Sequence, residues 1–347
     1  MDYRPLGRSD IQVSALCLGS MTWGEQNSAE EAFAQLDRAF EQGLNFIDTA
    51  EMYSFPARAE SQGDSERIIG AWMQARGNRE RVIVASKIAG PSDGWLEWIR
   101  EGQTRFDRRH IEAAVEGSLN RLQSDTIDLY QLHWPQRNCN YFGALGYQHD
   151  PNEDFIPIEE TLEALTRILQ AGKIRSIGLS NETPWGVMEF LKAAEGTALS
   201  RVVSIQNPYS LINRSFEIAL SEIAHREQVG LLAYSPLAFG ALTGKYLDGA
   251  RPPGTRLALF PSYRRYVTDK GERATRAYLE LAADRQLKPA QMALAFVNQQ
   301  PFVTSTIITA TNLEQLDEDL AAADITLDDE LLAAIEAIHA DQPNPCP

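Results

Sequence analysis

The chain has 347 residues, 44% hydrophobic and 23% charged, which is the composition of an ordinary globular protein. Asp and Glu number 48 against 32 Lys and Arg, giving a formal net charge of -16. This charge excludes a protein whose main surface coats nucleic acid or an anionic membrane. At roughly 150 residues per domain, the length predicts two domains or one large α/β barrel.

Cysteine use and the N-terminus bear on the cell compartment. Cys17, Cys139 and Cys346 are far apart and form no CxxC pair, so neither a disulfide framework nor a zinc site is indicated. The N-terminus is polar, without the apolar core of a signal peptide, and no run approaches the roughly 18 apolar residues of a membrane span. We expect a cytoplasmic protein with no metal site and no membrane association.

Short β-like runs alternate with longer stretches of helical periodicity. Strands are predicted at 15–18, 45–48, 82–86, 127–133, 174–179, 202–206, 231–234 and 304–308. Helices are predicted at 29–42, 65–76, 108–122, 158–171, 184–194, 216–227 and 272–299, with a final pair at 313–322 and 328–339. Eight strand–helix units without a linker favour one closed (β/α)8 TIM barrel of class α/β over two doubly wound domains. We expect residues 1–347 to form this single barrel domain, with an N-terminal hairpin over 3–12 capping its floor and extra C-terminal helices.

Four connections that follow strands are long, namely 49–64, 88–107, 134–157 and 235–271. Loops above about 15 residues in a compact domain are usually functional. Loops after barrel strands gather at one rim, where barrel active sites lie. The sequence therefore predicts a functional site at this rim.

Four polar side chains stand where three consecutive strands reach the rim. Asp48 ends Asn-Phe-Ile-Asp with Tyr53 five residues later, Lys87 ends Val-Ile-Val-Ala-Ser-Lys, and His133 ends Asp-Leu-Tyr-Gln-Leu-His. Each alone has a structural explanation, such as a solvated cap or a hydrogen-bonded core histidine, but their convergence favours a catalytic group. A metal site is less expected, because the set lacks the i, i+4 spacing of a helical zinc motif.

This set suits proton donation to a developing alkoxide. A neighbouring ammonium favours the phenolate, so Lys87 is expected to lower the pKa of Tyr53 from about 10 toward the operating pH. Asp48 would keep Lys87 charged, and His133 would donate a hydrogen bond to a substrate carbonyl oxygen. The natural partner of such a site is a hydride donor.

A hydride donor needs a binding site, and two features fit one. Amide and hydroxyl groups at 178–181 and 205–207 end the fifth and sixth strands and suit a nicotinamide carboxamide, although ordinary turn formers have the same composition. The loop after the seventh strand is basic, opposed only by Asp248 and Asp269, and its cations are Lys245, Arg251, Arg256, Arg264, Arg265 and Lys270. Barrel phosphate sites commonly follow the seventh strand, so a phosphate-binding loop is predicted, with a solvated surface loop as the alternative.

Several longer motifs are shared with a known family. They are Leu-Gly-Ser-Met-Thr-Trp-Gly-Glu-Gln at 18–26, Phe-Ile-Asp-Thr-Ala-Glu-Met-Tyr at 46–53, Val-Ala-Ser-Lys at 84–87, Leu-Tyr-Gln-Leu-His-Trp-Pro-Gln-Arg at 129–137, Gly-Lys-Ile-Arg-Ser-Ile-Gly-Leu-Ser-Asn-Glu-Thr at 172–183, Ile-Gln-Asn-Pro-Tyr-Ser-Leu at 205–211 and Leu-Thr-Gly-Lys-Tyr at 242–246. Over essentially its whole length the chain resembles the aldo-keto reductase superfamily of NAD(P)H-dependent (β/α)8 barrels. Within it, the chain resembles the bacterial Tas-like branch, near the voltage-gated potassium-channel β subunits.

The resemblance implies residue roles at the matching positions. It implies a catalytic tetrad in which Tyr53 donates the proton, made of Asp48, Tyr53, Lys87 and His133. It implies a nicotinamide site with Tyr234 stacked on the ring and a carboxamide bound by Ser180, Asn181 and Gln206. The pyrophosphate and adenosine end is implied at Ser235, Leu237, Lys245 and Arg256. Further cofactor-binding positions are Ser20, Met21, Asp48, Gly240, Thr311, Gln315, Glu318 and Asp319.

The segment after the eighth strand departs from the family pattern. Where the family has Gly or Lys, then Gln or Arg, then Glu-Asn, this chain has Thr309, Gln315, Glu318 and Asp319. An acidic group near adenine loses a hydrogen-bond donor, and a missing cation weakens a contact to a 2′-phosphate. We expect NADP(H) as the cofactor, with NAD(H) as the alternative.

The expected function is reduction of an aldehyde or ketone to an alcohol by an NAD(P)H-dependent aldo-keto reductase (EC 1.1.1.-). The small carbonyl substrate would lie against Tyr53 and His133 and beneath Trp23, Trp95 or Trp98, Trp134 and the aromatic-rich stretch 141–155, although these tryptophans could instead anchor loops. No nucleic-acid partner is expected, and the sequence does not indicate an oligomeric state. One alternative is a cofactor-binding subunit that signals redox state to a partner with little turnover; a barrel hydrolase or isomerase is less favoured.

Overall fold

A small hairpin and a ring of parallel strands organise the computed structural model, which describes residues 1–92 and 94–346. Position 93 of the predicted loop 88–107, and position 347, lie outside them. The hairpin pairs β1 (Tyr3–Pro5) with β2 (Gln12–Ser14) in antiparallel register. The ring consists of β3 (Leu16–Gly19), β4 (Phe46–Asp48), β5 (Ile83–Ile88), β6 (Ile127–Leu132), β7 (Ile174–Ser180), β8 (Val202–Pro208), β9 (Gly230–Tyr234) and β10 (Val303–Ile308). Each strand pairs in parallel with the next and β10 pairs with β3, so the predicted (β/α)8 barrel with an N-terminal hairpin is confirmed.

Helices surround the barrel at the following positions: α1 (Ala29–Glu41), α2 (Asp64–Arg76), α3 (Arg108–Leu122), α4 (Ile158–Gln170), α5 (Pro184–Ala194), α6 (Leu220–Glu227), α7 (Arg256–Leu259), α8 (Asp269–Asp284), α9 (Pro289–Asn298), α10 (Leu313–Ala321) and α11 (Asp329–Asp341). The start of α1 follows from local sequence, because Ser28 and Glu31 form a capping box. Among the described residues, no helix combines the length and apolar character needed to cross a bilayer.

The two predicted helices that are wrong fail for backbone reasons. The predicted helix 272–299 is divided into α8 and α9, because Gln286 takes φ +56° and Pro289 opens a new helix at its first turn. The predicted helix 216–227 begins only at Leu220, since Ala219 takes φ +69°.

The barrel interior is apolar at its floor and polar at its rim. The floor cluster joins Leu6, Ile11 and Val13 of the hairpin region to barrel residues that include Phe46, Ala85 and Leu129. Side chains alternate along a strand, so the residues two positions further, Asp48, Lys87 and Gln131, also face inward. The same alternation that fills the floor therefore brings polar groups from neighbouring strands together at the rim.

The hairpin caps the floor as predicted, and Gly7 allows its close approach. Gly7 has φ +57°, and a Cβ atom there would lie 2.2 Å from the Val203 carbonyl oxygen. Only glycine fits this combination of backbone angle and contact. The floor is thereby closed, and the rim is the end of the barrel that is open to a ligand.

Candidate active site

A cavity of about 1180 Å³ opens at the rim formed by the carboxyl ends of the barrel strands. Its wall includes the strand-terminal residues Gly19, Asp48, Ser180 and Tyr234. Pockets for drug-sized ligands measure roughly 300–1,000 Å³. The cavity is therefore large enough for a dinucleotide together with a small second molecule.

The structure brings Asp48, Tyr53, Lys87 and His133 together at one end of this cavity. Lys87 Nζ lies 2.6 Å from Asp48 Oδ2 and 3.4 Å from Tyr53 Oη, and it donates to the Thr49 carbonyl oxygen at 2.8 Å. The rings of Tyr53 and His133 are 5.7 Å apart. Tyr53, His133 and Asp48 border the cavity, whereas Lys87 is fully buried behind them.

Asp48 is fixed by amide groups of the neighbouring strands. Gln206 Nε2 and Gln131 Nε2 donate to Asp48 Oδ1 at 2.7 and 3.2 Å, while Lys87 occupies Oδ2. Both carboxylate oxygens thus have partners, as a buried charge requires. The sequence indicated Gln206 only as a cofactor contact, and its bond to Asp48 was not foreseen.

The pKa directions at this end differ in part from expectation. Burial raises the pKa of Tyr53 and outweighs the opposing Lys87 ammonium, so the prediction of a lowered Tyr53 pKa is wrong in its direction. Burial disfavours the Lys87 ammonium, but Asp48 and Tyr53 outweigh it and raise the Lys87 pKa. Burial, assisted by Lys87, holds the His133 pKa well below its usual value. At neutral pH the site therefore has a neutral phenol, a charged ammonium and a neutral imidazole.

A second polar group lines the cavity beside the tetrad residues. Asn181 Nδ2 donates to the His133 carbonyl oxygen at 2.9 Å, and Tyr234 Oη donates to Asn181 Oδ1 at 2.7 Å. Ser180 Oγ donates to the Gln206 carbonyl oxygen at 2.9 Å. Ser180, Gln206 and Tyr234 belong to β7, β8 and β9, and Asn181 directly follows β7, so the ends of three neighbouring strands form a fixed amide and hydroxyl wall.

The basic loop after β9 contributes only part of its charge to the cavity. Lys245, Arg256, Arg264 and Arg265 border it. Arg251 and Lys270 do not border the cavity, as far as the described residues define its wall. The predicted loop residues Ser235, Leu237 and Gly240 are also in the wall.

Lys245 and Arg256 form no salt bridge among the described residues. Arg256 lies 4.8 Å above the Phe239 ring and contacts Met21 Sδ at 3.6 Å, and within residues 1–92 and 94–346 no carboxylate forms a salt bridge with either cation. Burial lowers the pKa of both. Buried charges are normally paired, so this region suits an anionic ligand. The glycine at 240 allows Lys245 to lie close to the backbone, because Gly240 takes φ +88° and a Cβ atom there would lie 2.5 Å from Lys245 Cε.

The far end of the cavity is formed by the start of α10 and the residues before it. The predicted residues Thr311, Gln315, Glu318 and Asp319 all line the cavity. Ser20 and Met21, which directly follow β3, line it too, and the Ser20 amide donates to the Asp48 carbonyl oxygen at 3.0 Å. Glu318 accepts from Lys288 Nζ at 2.8 Å. Asp319 is 5% exposed, and burial together with Glu318 raises its pKa to about 7 against the opposing Lys245 ammonium.

The predicted tryptophans divide into cavity and core residues. Trp95 and Trp134 border the cavity with their rings stacked at 5.9 Å, and among the described residues of the stretch 141–155 only Phe142 joins them. Trp98 is outside the described cavity wall. The substrate contact predicted for Trp23 is corrected, because Trp23 is fully buried and its Nε1 donates to Gln35 Oε1 at 2.9 Å.

Sequence reasoning missed an apolar part of the cavity wall beyond the tryptophans. It includes Met52, Phe55, Phe239 and Tyr263, with the Phe55 and Tyr263 rings 5.6 Å apart. All four lie in long loops, and loop length was the only signal for Phe55, Phe239 and Tyr263. Met52 lies inside the motif at 46–53 but was given no role there. Within the described residues, no group of three or more His, Cys, Asp or Glu side chains could hold a metal ion.

Comparisons with known proteins agree with this geometry. The Aldo/keto reductase family model matches residues 15–340. The chain is 49% identical over 347 residues to Protein tas of Escherichia coli (strain K12), covering 100% of both chains. It is 34% identical over 344 residues to the uncharacterized oxidoreductase YrpG of Bacillus subtilis, covering 97% of this chain and 96% of that one. It is 30% identical over 356 residues to a probable voltage-gated potassium channel subunit beta of Oryza sativa subsp. japonica, covering 99% and 98%. The chain belongs to the aldo-keto reductase family and is an oxidoreductase.

Proposed function

We propose that the protein reduces aldehydes or ketones to alcohols, with NADPH as hydride donor and Tyr53 as proton donor. The observation that carries this proposal is the buried Asp48–Lys87–Tyr53 series beside His133, at one end of a cavity large enough for a dinucleotide. NADH is the alternative donor, because the cavity wall has Thr309 and Asp319 where a cation and an asparagine would contact the adenosine end of NADPH.

The residues of the cavity wall fit a nicotinamide dinucleotide. Lys245 and Arg256 would bind its phosphates, since both are partly buried cations with no carboxylate partner among the described residues. Ser180 and Asn181 would hold the carboxamide, and Tyr234 would pack on the ring. Ser20 Oγ, a buried hydroxyl without a protein partner in the described residues, is a further donor at the wall. A reduced nicotinamide bound there supplies a hydride to the carbonyl carbon.

The protein's own groups would handle the proton. Tyr53 and neutral His133 both border the cavity, so a carbonyl oxygen between them accepts a hydrogen bond from each. As negative charge develops on that oxygen, Tyr53 donates its proton to it. Lys87 then stabilises the phenolate from 3.4 Å, and Asp48 keeps Lys87 charged and in place.

Steady-state reduction of a panel of carbonyl compounds by wild type and Tyr53→Phe tests the proposal. We expect the substitution to lower kcat by about 10²–10⁴-fold, which is the usual contribution of a positioned acid. NADPH affinity, measured by fluorescence titration, should stay within twofold. Equal turnover by the two proteins would contradict the assigned role of Tyr53.

The same panel separates catalysis from signalling. Tight NADPH binding without turnover of any carbonyl would favour a redox-sensing subunit, the role suggested by the relatives named as channel β subunits. Absence of a fluorescence change with either NADPH or NADH would contradict both roles. Comparing the two titrations also decides which cofactor is preferred.

A further inference from the structure

A second buried ion pair lies beside the proposed site, and the proposed reaction does not use it. Glu51 and Arg100 form a two-pronged contact, with Arg100 Nη1 donating to Oε2 at 2.5 Å and Nη2 donating to Oε1 at 2.8 Å. Their side chains are only 3% and 13% exposed. Neither residue is in the described wall of the cavity. The pair must therefore act through the segments that it joins.

Glu51 connects the loop that carries Tyr53 with the end of β5. Its Oε1 also accepts from the Ala89 amide at 2.7 Å, and its own amide donates to the Lys87 carbonyl oxygen at 3.1 Å. Tyr53 follows two residues later. The Glu51 carboxylate thus has one fixed position relative to both Lys87 and Tyr53.

Arg100 holds the segment that carries Trp95. Leu96 and Ile99 of this segment are buried in a small cluster with Ala50 and Met52, the neighbours of Glu51. Trp95 itself is 50% exposed and stacks on Trp134. The indole Nε1 of Trp134 donates to the carbonyl oxygen of Pro91, at 2.9 Å.

The backbone at Arg100 needs such an anchor. Arg100 and Glu101 have φ of +49° and +58°, in the left-handed region that non-glycine residues rarely adopt. Conformations of this kind persist when surrounding contacts hold them. A guanidinium fork on a carboxylate fixes orientation as well as distance, and a lysine does not reproduce it.

We propose that Glu51 and Arg100 are a positioning pair that holds Trp95 at the mouth of the cavity and thereby sets the affinity for carbonyl compounds with bulky planar groups. This inference rests on the proposed carbonyl-reductase function. A small aliphatic carbonyl needs only the contacts around Tyr53 and His133, whereas a two-ring aromatic extends to the Trp95 and Trp134 rings. Displacing Trp95 should therefore affect the two substrate types unequally.

The test compares Arg100→Lys with Arg79→Lys as a matched control. Arg79 also pairs with a buried carboxylate, Asp128, at 2.9 Å, but it does so on the side where β5 begins, away from the rim. With saturating NADPH, Arg100→Lys should raise KM for 2-naphthaldehyde about tenfold while kcat changes less than twofold, the pattern of lost binding contacts. KM for propanal, and both constants in the control, should change less than twofold.

Equal increases of KM for both aldehydes, or the same selectivity change in Arg79→Lys, would overturn the proposal. Amide hydrogen exchange gives a second readout that needs no turnover. Residues 94–101 should exchange about tenfold faster in Arg100→Lys than in wild type, as expected when a local contact is lost. Unchanged protection there would overturn the positioning role. If wild type reduced no aldehyde at all, the proposed function would fail, while hydrogen exchange would still decide whether the pair positions this segment.

Discussion

The Tyr53 end of the cavity and the loop after β9 hold their positive charges in opposite ways. At the Tyr53 end, Lys87 is fully buried and paired with Asp48 at 2.6 Å. In the loop after β9, Lys245 and Arg256 form no salt bridge with a carboxylate among the described residues. An unpaired charge in a partly dry site is costly until an anion arrives. The charges at the Tyr53 end are therefore balanced without a ligand, while those of the loop after β9 are balanced when an anionic ligand binds.

The pKa directions follow the same division. Both Lys87 and Lys245 experience burial, which disfavours an ammonium. Asp48 and Tyr53 overcome burial at Lys87 and raise its pKa, whereas nothing comparable offsets burial at Lys245, whose pKa is lowered. The pKa values of two lysines, one behind the cavity wall and one in it, thus shift in opposite directions because of their partners. A charge that is already paired and fixed suits stabilisation of a transition state, whereas an unpaired charge suits binding of an anionic ligand.

The largest expected effect comes from breaking the paired end. Lys87→Met leaves Asp48 as a buried, unpaired carboxylate, which should lower the free energy of unfolding by about 3–5 kcal/mol. The variant also loses the cation beside Tyr53, so kcat should fall by at least about 10²-fold. Urea unfolding and steady-state kinetics measure both. Full stability in Lys87→Met would contradict the paired description of this end.

A second effect concerns Asp319, the buried carboxyl group near Lys245. The pKa of Asp319 is raised to about 7, so in the folded protein it holds its proton between about pH 4 and 7, where the unfolded chain has released it. The free energy of unfolding must therefore fall as pH rises through that window. The fall amounts to at most roughly 4 kcal/mol, since one pKa unit corresponds to about 1.36 kcal/mol.

Asp319→Asn should remove that dependence. Urea unfolding of the cofactor-free protein at pH 5 and pH 7.5 measures it, and the Asn variant should lose less stability between the two pH values than wild type. The same loss in both proteins would show that Asp319 is ionised throughout.

Removing the unpaired cations should weaken cofactor binding without the stability cost seen at Lys87. Lys245→Ala combined with Arg256→Ala should raise the Kd for NADPH about 10²-fold, since each charge-assisted contact contributes about 1.5–3 kcal/mol and the two are not fully additive. Arg251→Ala is the matched control, because Arg251 lies in the same loop but outside the described cavity wall. A similar change in Kd for the control would mean that overall loop charge, and not placement, determines binding.

The smallest expected effect tests the corrected position of Trp23. Trp23→Phe removes the buried hydrogen bond to Gln35 and should cost about 1–3 kcal/mol of stability. KM and kcat should remain within twofold, because Trp23 is outside the described cavity wall. A substrate-dependent change in KM would restore the original prediction for this residue.

Local sequence patterns predicted much of the site. Asp48, Lys87 and His133 were found because each follows or ends a short apolar run, and parallel barrel strands bring such positions to one rim. The helix boundaries failed only where a positive φ or a proline interrupted an otherwise continuous pattern, as at Ala219 and Pro289. Periodicity reports which face is apolar, but it does not report the backbone angle of a single residue.

The sequence by itself determined the strand order, the inward alternation that gathers Asp48 and Lys87, and the family. Only the tertiary structure decided which charges are paired, and with that the direction of the Tyr53 pKa shift. It also decided that Arg256 reaches the cavity while Arg251 does not, that Trp23 belongs to the core, and that Glu51 meets Arg100 across 49 residues. The physical reason is that alternation and periodicity are properties of neighbouring residues, whereas burial and charge pairing depend on segments that only folding brings into contact.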